Sequence, residues 1–214
     1  MDFSLEAIAL GVVPVVLAIT LHEAAHGFVA RMFGDQTAWM LGRVTLNPIK
    51  HIDPVGTILL PGVLLLMHAP FLFGWAKPVP VNFGNLRNPK RDMLWVAAAG
   101  PGANFAMAFA WALLLKGALP SGMLASAGLA EMAQIGIEIN LMLMALNLLP
   151  IPPLDGGRIA VSVLPRRAAM AWAGLERYGL FIVLALLLIP GLLNALMSPI
   201  VSAGARVLET LLGL

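Results

Sequence analysis

The sequence predicts an all-α polytopic membrane protein: about four to five transmembrane helices, a re-entrant hairpin and short membrane-associated β-strands. Three observations predict it. First, 60% of the 214 residues are apolar and only 11% are charged, against about 25% charged in ordinary soluble domains. Second, mean hydropathy is +0.90 and the apolar residues gather into five long runs, each near the roughly 20 residues that a helix needs to cross a bilayer. Third, one run is interrupted by Gly56, Pro61, Gly62 and Pro70, which suits a hairpin more than a span. A soluble globule of this size leaves much of its surface wet and cannot hide so much apolar area. A soluble enzyme, a disordered chain and a nucleic-acid binder are thereby excluded. The net charge of +2 says little about partners, and the lack of cysteine excludes disulfides and thiolate metal sites. Asp2 and Glu6 stand where a secretory signal would carry positive charge, so no signal peptide is expected.

Residues 5–33 form the first run, which stops at Gly34-Asp35. The mixed stretch 34–53 reads as loop with short strands, since Arg43-Val44-Thr45-Leu46 is β-prone and ends at Asn47-Pro48. The second run, 54–75, carries Gly56, Pro61, Gly62 and Pro70. Residues 76–92 are polar and basic, and Lys77-Pro78-Val79-Pro80-Val81 predicts an edge-like extended segment, because proline cannot donate to a ladder. The third run, 93–119, is continuous apart from Gly100-Pro101-Gly102. The fourth, about 124–149, ends in Pro150, Pro152 and Pro153, which force an extended path. The fifth covers about 174–197, with a break near Pro190, and the tail 199–214 predicts a short interfacial helix. Length allows one domain.

His22-Glu23-Ala24-Ala25-His26 matches H-E-x-x-H inside the first run. On a helix the two histidines lie one turn apart on one face, so both imidazoles can bind one metal ion, while Glu23 is offset and can reach a metal-activated water. The competing reading is a pair of satisfied core histidines. Three ionisable groups in one turn of a membrane helix are costly without a function, which favours the metal. A catalytic zinc takes three protein ligands and keeps one position open. The candidates for the third ligand are His51, His68 and a few acids, and Asp155 stands out in Asn147-Leu-Leu-Pro-Ile-Pro-Pro-Leu-Asp155-Gly-Gly-Arg158. Taken alone, Asp155 reads better as a helix N-cap at the membrane surface; its pairing with H-E-x-x-H reverses that preference.

The chain resembles a compact bacterial member of the site-2 protease family, the intramembrane zinc metalloproteases. HEAAH at 22–26 and NLLPIPPLDGG at 147–157 carry the resemblance, supported by GRVTLNPIKHIDP at 42–54, GWAKPVPVN at 74–82 and AAGPGAN at 98–104. It covers most of residues 20–165. The resemblance implies one Zn2+ ion held by His22, His26 and Asp155, Glu23 as general base, and Asn147 as a catalytic polar group that holds substrate or the oxyanion. It implies a single transmembrane metalloprotease domain over 1–214, with a zinc-binding core at about 5–165 and C-terminal helices at about 174–214. It also implies partners, a membrane-protein substrate with a transmembrane helix and the lipid bilayer, and a bacterial inner membrane location. Many relatives carry a further span before H-E-x-x-H or an appended PDZ or CBS domain, and neither is expected here. Asn104 is read as satisfying backbone near Gly100-Pro101-Gly102, Lys77 as a loop residue, and His51 and His68 as solvated or capped groups. The alternatives are a non-proteolytic membrane protein with a structural zinc site or scaffold role, and a metal transporter. A transporter is expected to carry ionisable residues along several spans.

Topology follows from two arguments. For His22, His26 and Asp155 to meet, runs one and four must cross in the same direction, with an odd number of crossings between them. With run two as the re-entrant hairpin, 11 of the 13 Lys and Arg fall on one side and only Lys116 and Arg206 on the other, whereas five full spans give 8 and 5. The positive-inside rule then puts the N-terminus outside and the metal toward the cytoplasm.

Overall fold

The computed structural model describes residues 5–67, 74–119 and 126–213. Nine α-helices lie among these residues: α1 (Leu5–Met32), α2 (Thr37–Met40), α3 (Leu60–Leu66), α4 (Pro89–Ala118), α5 (Ala127–Leu148), α6 (Asp155–Val163), α7 (Arg166–Ala173), α8 (Gly179–Leu188) and α9 (Leu192–Leu212). Five helical stretches are long and apolar enough to cross a membrane: Ala9–Met32, Pro89–Ala118, Ala127–Leu148, Arg166–Leu188 and Leu192–Leu212. The chain is thus a multi-pass membrane protein by length and composition.

The ends of the long helices follow local rules. α4 begins with Pro89, whose fixed φ suits a first turn, and Asp92 accepts the Asn88 N–H at 2.7 Å. The Ser126 hydroxyl accepts from Leu129 N at the start of α5. Gly100-Pro101-Gly102 does not interrupt α4, which runs through it. Tertiary packing holds this turn helical, as neighbouring helices commonly do for proline in a bundle.

α1, α4, α5 and α9 form the bundle. Lipid is as apolar as leucine, so close van der Waals packing across small residues must hold such helices together. One cluster joins Ala108 and Ala112 of α4, Leu141 and Met144 of α5, and Leu208 of α9. A second joins Ala18 of α1, Met107 and Trp111 of α4, and Ala133 of α5. These contacts make α1 and α5 parallel, with α4 antiparallel between them, as the metal-site argument requires.

The C-terminal region departs from expectation. Met197 packs with Ala145 and Leu149, and the Lys116 ammonium donates to Leu212 O at 2.6 Å. α9 therefore runs the length of the bundle from the Asp155 end, and residues 199–212 of the expected interfacial tail are the second half of this helix. The break expected near Pro190 is present at Ile189–Gly191, where the proline stops α8. The stretch Arg166–Leu188 stays at the Asp155 end: the Trp172 indole donates to Pro150 O, and Gly179 packs against Pro153. Its last residue is four steps from Leu192, at most about 14 Å.

Among the described residues no β-strand forms. The strands expected at 43–47 and 77–82 are loop and extended segments without a ladder, since Pro78 and Pro80 have no N–H to give. The two ends of the second run meet: Trp75 N donates to Gly56 O at 3.1 Å and the Thr57 hydroxyl to Trp75 O at 2.8 Å. Residues 68–73, including His68 and Pro70, lie outside the described residues.

The segment 75–82 forms a strap across the Asp155 end. Lys77 N donates to His51 O, Val79 N to the Glu23 carboxylate and Asn82 N to Asp35 Oδ2. Asp35 is fully buried and also accepts from Thr37 N, the Thr37 hydroxyl and the Asn85 amide. Burial opposes its charge, but these four donors outweigh burial and hold its carboxyl below the usual range.

Candidate metal centre

α1 places His22 and His26 one turn apart, and their Nε2 atoms lie 3.1 Å from each other. Asp155 Oδ2 sits 3.2 Å from both. All three residues are buried. Among the described residues they form the one group of His, Cys, Asp or Glu placed to share an ion.

The path from Leu149 to Asp155 explains how the carboxylate gets there. The prolines end α5 and let α6 start immediately beyond them. Gly156 and Gly157 lie flush against the backbone of Leu148, Leu149, Ile151 and Pro152, where any Cβ would overlap main-chain atoms. Leu154 holds the N-cap position of α6 and Asp155 is in its first turn. Asp155 is thus not the N-cap, and its Oδ2 faces the imidazoles instead.

The imidazole tautomers follow from the other ring nitrogens. His26 Nδ1 lies 2.7 Å from Val96 O, a backbone carbonyl that can only accept, so Nδ1 carries the proton. His22 Nδ1 donates to Asn104 Oδ1 at 2.6 Å. Both Nε2 atoms then present lone pairs to each other and to Asp155 Oδ2, which is buried with no hydrogen-bond partner. Three lone pairs about 3 Å apart in a buried site repel unless a cation lies among them. Two imidazoles and a carboxylate are the donor set of a catalytic zinc. Gly100 on α4 completes the cradle, since a Cβ there would collide with His26 Nε2 and His22. The residues therefore fit a metal ion.

Glu23 is half-buried and lies outside the ligand group. Its Oε2 accepts the Val79 N–H at 2.7 Å. Asn147 is half-buried at the end of α5 and donates to Leu143 O in its own helix at 3.1 Å. No hydrogen bond joins it to the triad. His51 is 2% exposed rather than solvated and lies outside the triad; its Nε2 donates to Thr45 O at 3.0 Å. Lys77 is an exposed residue of the strap. Sequence reasoning missed the role of Asn104, which is fully buried and touches His22 instead of satisfying a helix break. Its signal was an amide one turn after Gly100, on the same face of α4.

Beside the triad, α1 and α4 flank an apolar groove of ≈ 580 Å³, lined by Leu21, Ala24, Phe28, Val44, Leu46 and Ala103 among others.

A multi-pass membrane protein with two histidines and an aspartate converging at one end of its bundle has the ligand set of a membrane metalloprotease. Sequence comparison places it more closely. A profile of Peptidase family M50 matches residues 116–190. The chain is 42% identical over 197 residues to "Putative zinc metalloprotease YwhC" of Bacillus subtilis, covering 90% of this chain and 86% of that protein. It is 30% and 32% identical to proteins named "Putative zinc metalloprotease Rip2" from Mycolicibacterium smegmatis and Mycobacterium tuberculosis, over 82% of this chain and 65% of each of theirs. No solved structure matches. The chain belongs to peptidase family M50, the site-2 protease family.

Proposed function

We propose that this chain is a zinc-dependent intramembrane endopeptidase that hydrolyses peptide bonds in or near the transmembrane segments of membrane proteins, as in regulated intramembrane proteolysis. The observation that carries the reading is the convergence of His22 Nε2, His26 Nε2 and Asp155 Oδ2 within 3.2 Å of one another in a buried site. His22, His26 and Asp155 would hold one Zn2+. Zinc with three protein ligands and one open position supplies a Lewis acid and lowers the pKa of a water.

The remaining chemistry belongs to the chain. Glu23 takes a proton from the attacking water and returns it to the leaving nitrogen. Its Oε2 is held by Val79 N–H, which leaves Oε1 for that proton. Asn147 retains an amide hydrogen beyond the one given to Leu143 O, and that hydrogen serves the scissile carbonyl. A helical substrate hides its carbonyls in its own hydrogen bonds, so it must unwind before cleavage. The groove along α1 and α4 receives the intact helix, and the loop at 43–47 and the strap at 77–82 receive the unwound part by strand addition.

The whole chain acts as one metalloprotease domain. It sits in the bacterial inner membrane with the N-terminus outside and the site toward the cytoplasm, which leaves 11 of 13 Lys and Arg on the cytoplasmic side. The 54–75 excursion dips into the bilayer from that side. A closed structural zinc site would need a fourth protein ligand, and none joins the triad among the described residues. The test is cleavage of a labelled single-span substrate in proteoliposomes. Cleavage should stop on chelation and return with zinc. A zinc-loaded protein inactive on a broad panel of single-span substrates would overturn the reading.

A further inference from the structure

Behind His22 the polar contacts continue away from the metal site. Asn104 on α4 is fully buried, and so is Asn140 on α5. Asn104 Nδ2 lies 3.1 Å from Asn140 Oδ1 and 3.4 Å from Ala18 O. Asn140 Nδ2 lies 2.8 Å from Gly136 O, one turn earlier in α5. The chain of contacts thus joins α1, α4 and α5 through two amides.

The direction of this chain is forced from its far end. Gly136 O is a backbone carbonyl and can only accept, so the Asn140 atom facing it must be the NH2 group. Asn140 Oδ1 then turns to Asn104 and must receive a hydrogen, which only Asn104 Nδ2 supplies. The second hydrogen of that group goes to Ala18 O, another obligate acceptor. Asn104 Oδ1 is left facing His22 Nδ1, and an amide oxygen can only accept. His22 must therefore carry its proton on Nδ1 and present a lone pair from Nε2.

We propose that Asn104 and Asn140 are positioning residues that fix the tautomer and ring orientation of His22 for metal binding, with polarity relayed from Gly136 O. Each amide is buried at a cost that apolar packing would avoid, and the hydrogen bonds they make allow one orientation of each. Asn104 acts on the ligand directly. Asn140 acts through Asn104 and shares that task with Ala18 O, so its effect is the smaller. Partners that orient a metal-ligating histidine typically contribute 10–100-fold in metal affinity.

This inference rests on His22, His26 and Asp155 binding zinc, so the experiment measures both. Zinc affinity is measured by chelator competition on the full chain in detergent, together with the visible ligand-field spectrum of the Co2+-loaded protein and helix content by circular dichroism. Wild type should bind one equivalent. Asn104→Leu should bind about 10–100-fold more weakly with an altered Co2+ spectrum and unchanged helix content. Asn104→Asp keeps an acceptor oxygen for the His22 proton but gives up the hydrogens donated to Ala18 O and Asn140 Oδ1, so it should recover part of the affinity lost in Asn104→Leu. Asn140→Leu should lose several-fold. The inference is overturned if Asn104→Leu binds as wild type, or if Asn104→Asp is as weak as Asn104→Leu, which would reduce the role to packing. Should Asn104→Leu fail to fold, Asn140→Leu decides alone, and wild-type affinity and spectrum there overturn the relay. A wild-type chain that binds no zinc sinks the metal-site reading itself, a result distinct from all of these.

Discussion

Val79 donates its backbone N–H to Glu23 Oε2 at 2.7 Å, across 56 residues of sequence. The residue proposed as general base is thus tied to the strap that is proposed to meet the substrate. Val79→Pro removes the donor from a segment that is already extended between two prolines. A charge-assisted hydrogen bond contributes about 1.5–3 kcal/mol, so the cleavage rate should fall about tenfold or more while zinc content stays at wild type. Single-turnover cleavage with metal analysis checks this, and an unchanged rate would show that the tie does not position the base.

Gly100 and Gly102 give a paired test on one helix. A Cβ at Gly100 meets the metal-facing atoms of His22 and His26, whereas one at Gly102 meets nothing within 4 Å. Gly100→Ala should cost at least tenfold in zinc affinity, the lower end of the range seen when ligand geometry is disturbed. Gly102→Ala should leave affinity alone and stabilise α4 slightly, by up to about 1 kcal/mol from helix propensity. Equal zinc affinity in the two variants would mean that the cradle is not where the metal sits.

Asp35 ties the loop after α1 to the strap, and its folded pKa lies below its unfolded value. Its contribution to stability is therefore fully present above about pH 4, near the ordinary aspartate pKa, and is lost as pH falls through the lower folded value. Asp35→Asn turns an amide toward donors and should cost about 1–3 kcal/mol at neutral pH. Thermal melts in detergent from pH 7 downward should show a smaller acid-induced loss in the variant than in wild type. Parallel acid limbs would contradict this assignment.

The absence of native cysteine makes accessibility labelling direct. Thr45→Cys and Ala160→Cys should react from the cytoplasmic face, and Thr210→Cys, near the far end of α9, from the opposite one. Labelling of positions 45 and 160 from opposite faces would refute the topology.

The trio that converges was legible in the sequence in two steps: His22 and His26 are a helical i, i+4 pair, and Asp155, which alone reads as an N-cap, was singled out by its pairing with H-E-x-x-H and by the family resemblance. The parallel course of α1 and α5 followed from the need to bring them together. What lay hidden was set by contacts between distant segments. Nothing near Asn104 in the chain says that it faces His22, and nothing near Asp35 says that it holds Asn82. The tail was misjudged for a related reason. Leu192–Leu212 carries Ser198, Ser202, Arg206 and Glu209, so its hydropathy suggested an interfacial helix, while Met197, Gly204 and Leu208 are buried against α4 and α5. The expected strands failed because extended propensity alone does not supply a partner.

The most direct test of the account compares wild type with Glu23→Gln for zinc content and for cleavage of a single-span substrate. Glutamine keeps an oxygen for the Val79 N–H and leaves His22, His26 and Asp155 untouched. Both proteins should bind one zinc with similar affinity, and cleavage should fall by about 10²–10⁴-fold in the variant, the contribution expected of a general base. Equal cleavage by the two zinc-loaded proteins would contradict Glu23 as the base and, with it, the proposed mechanism.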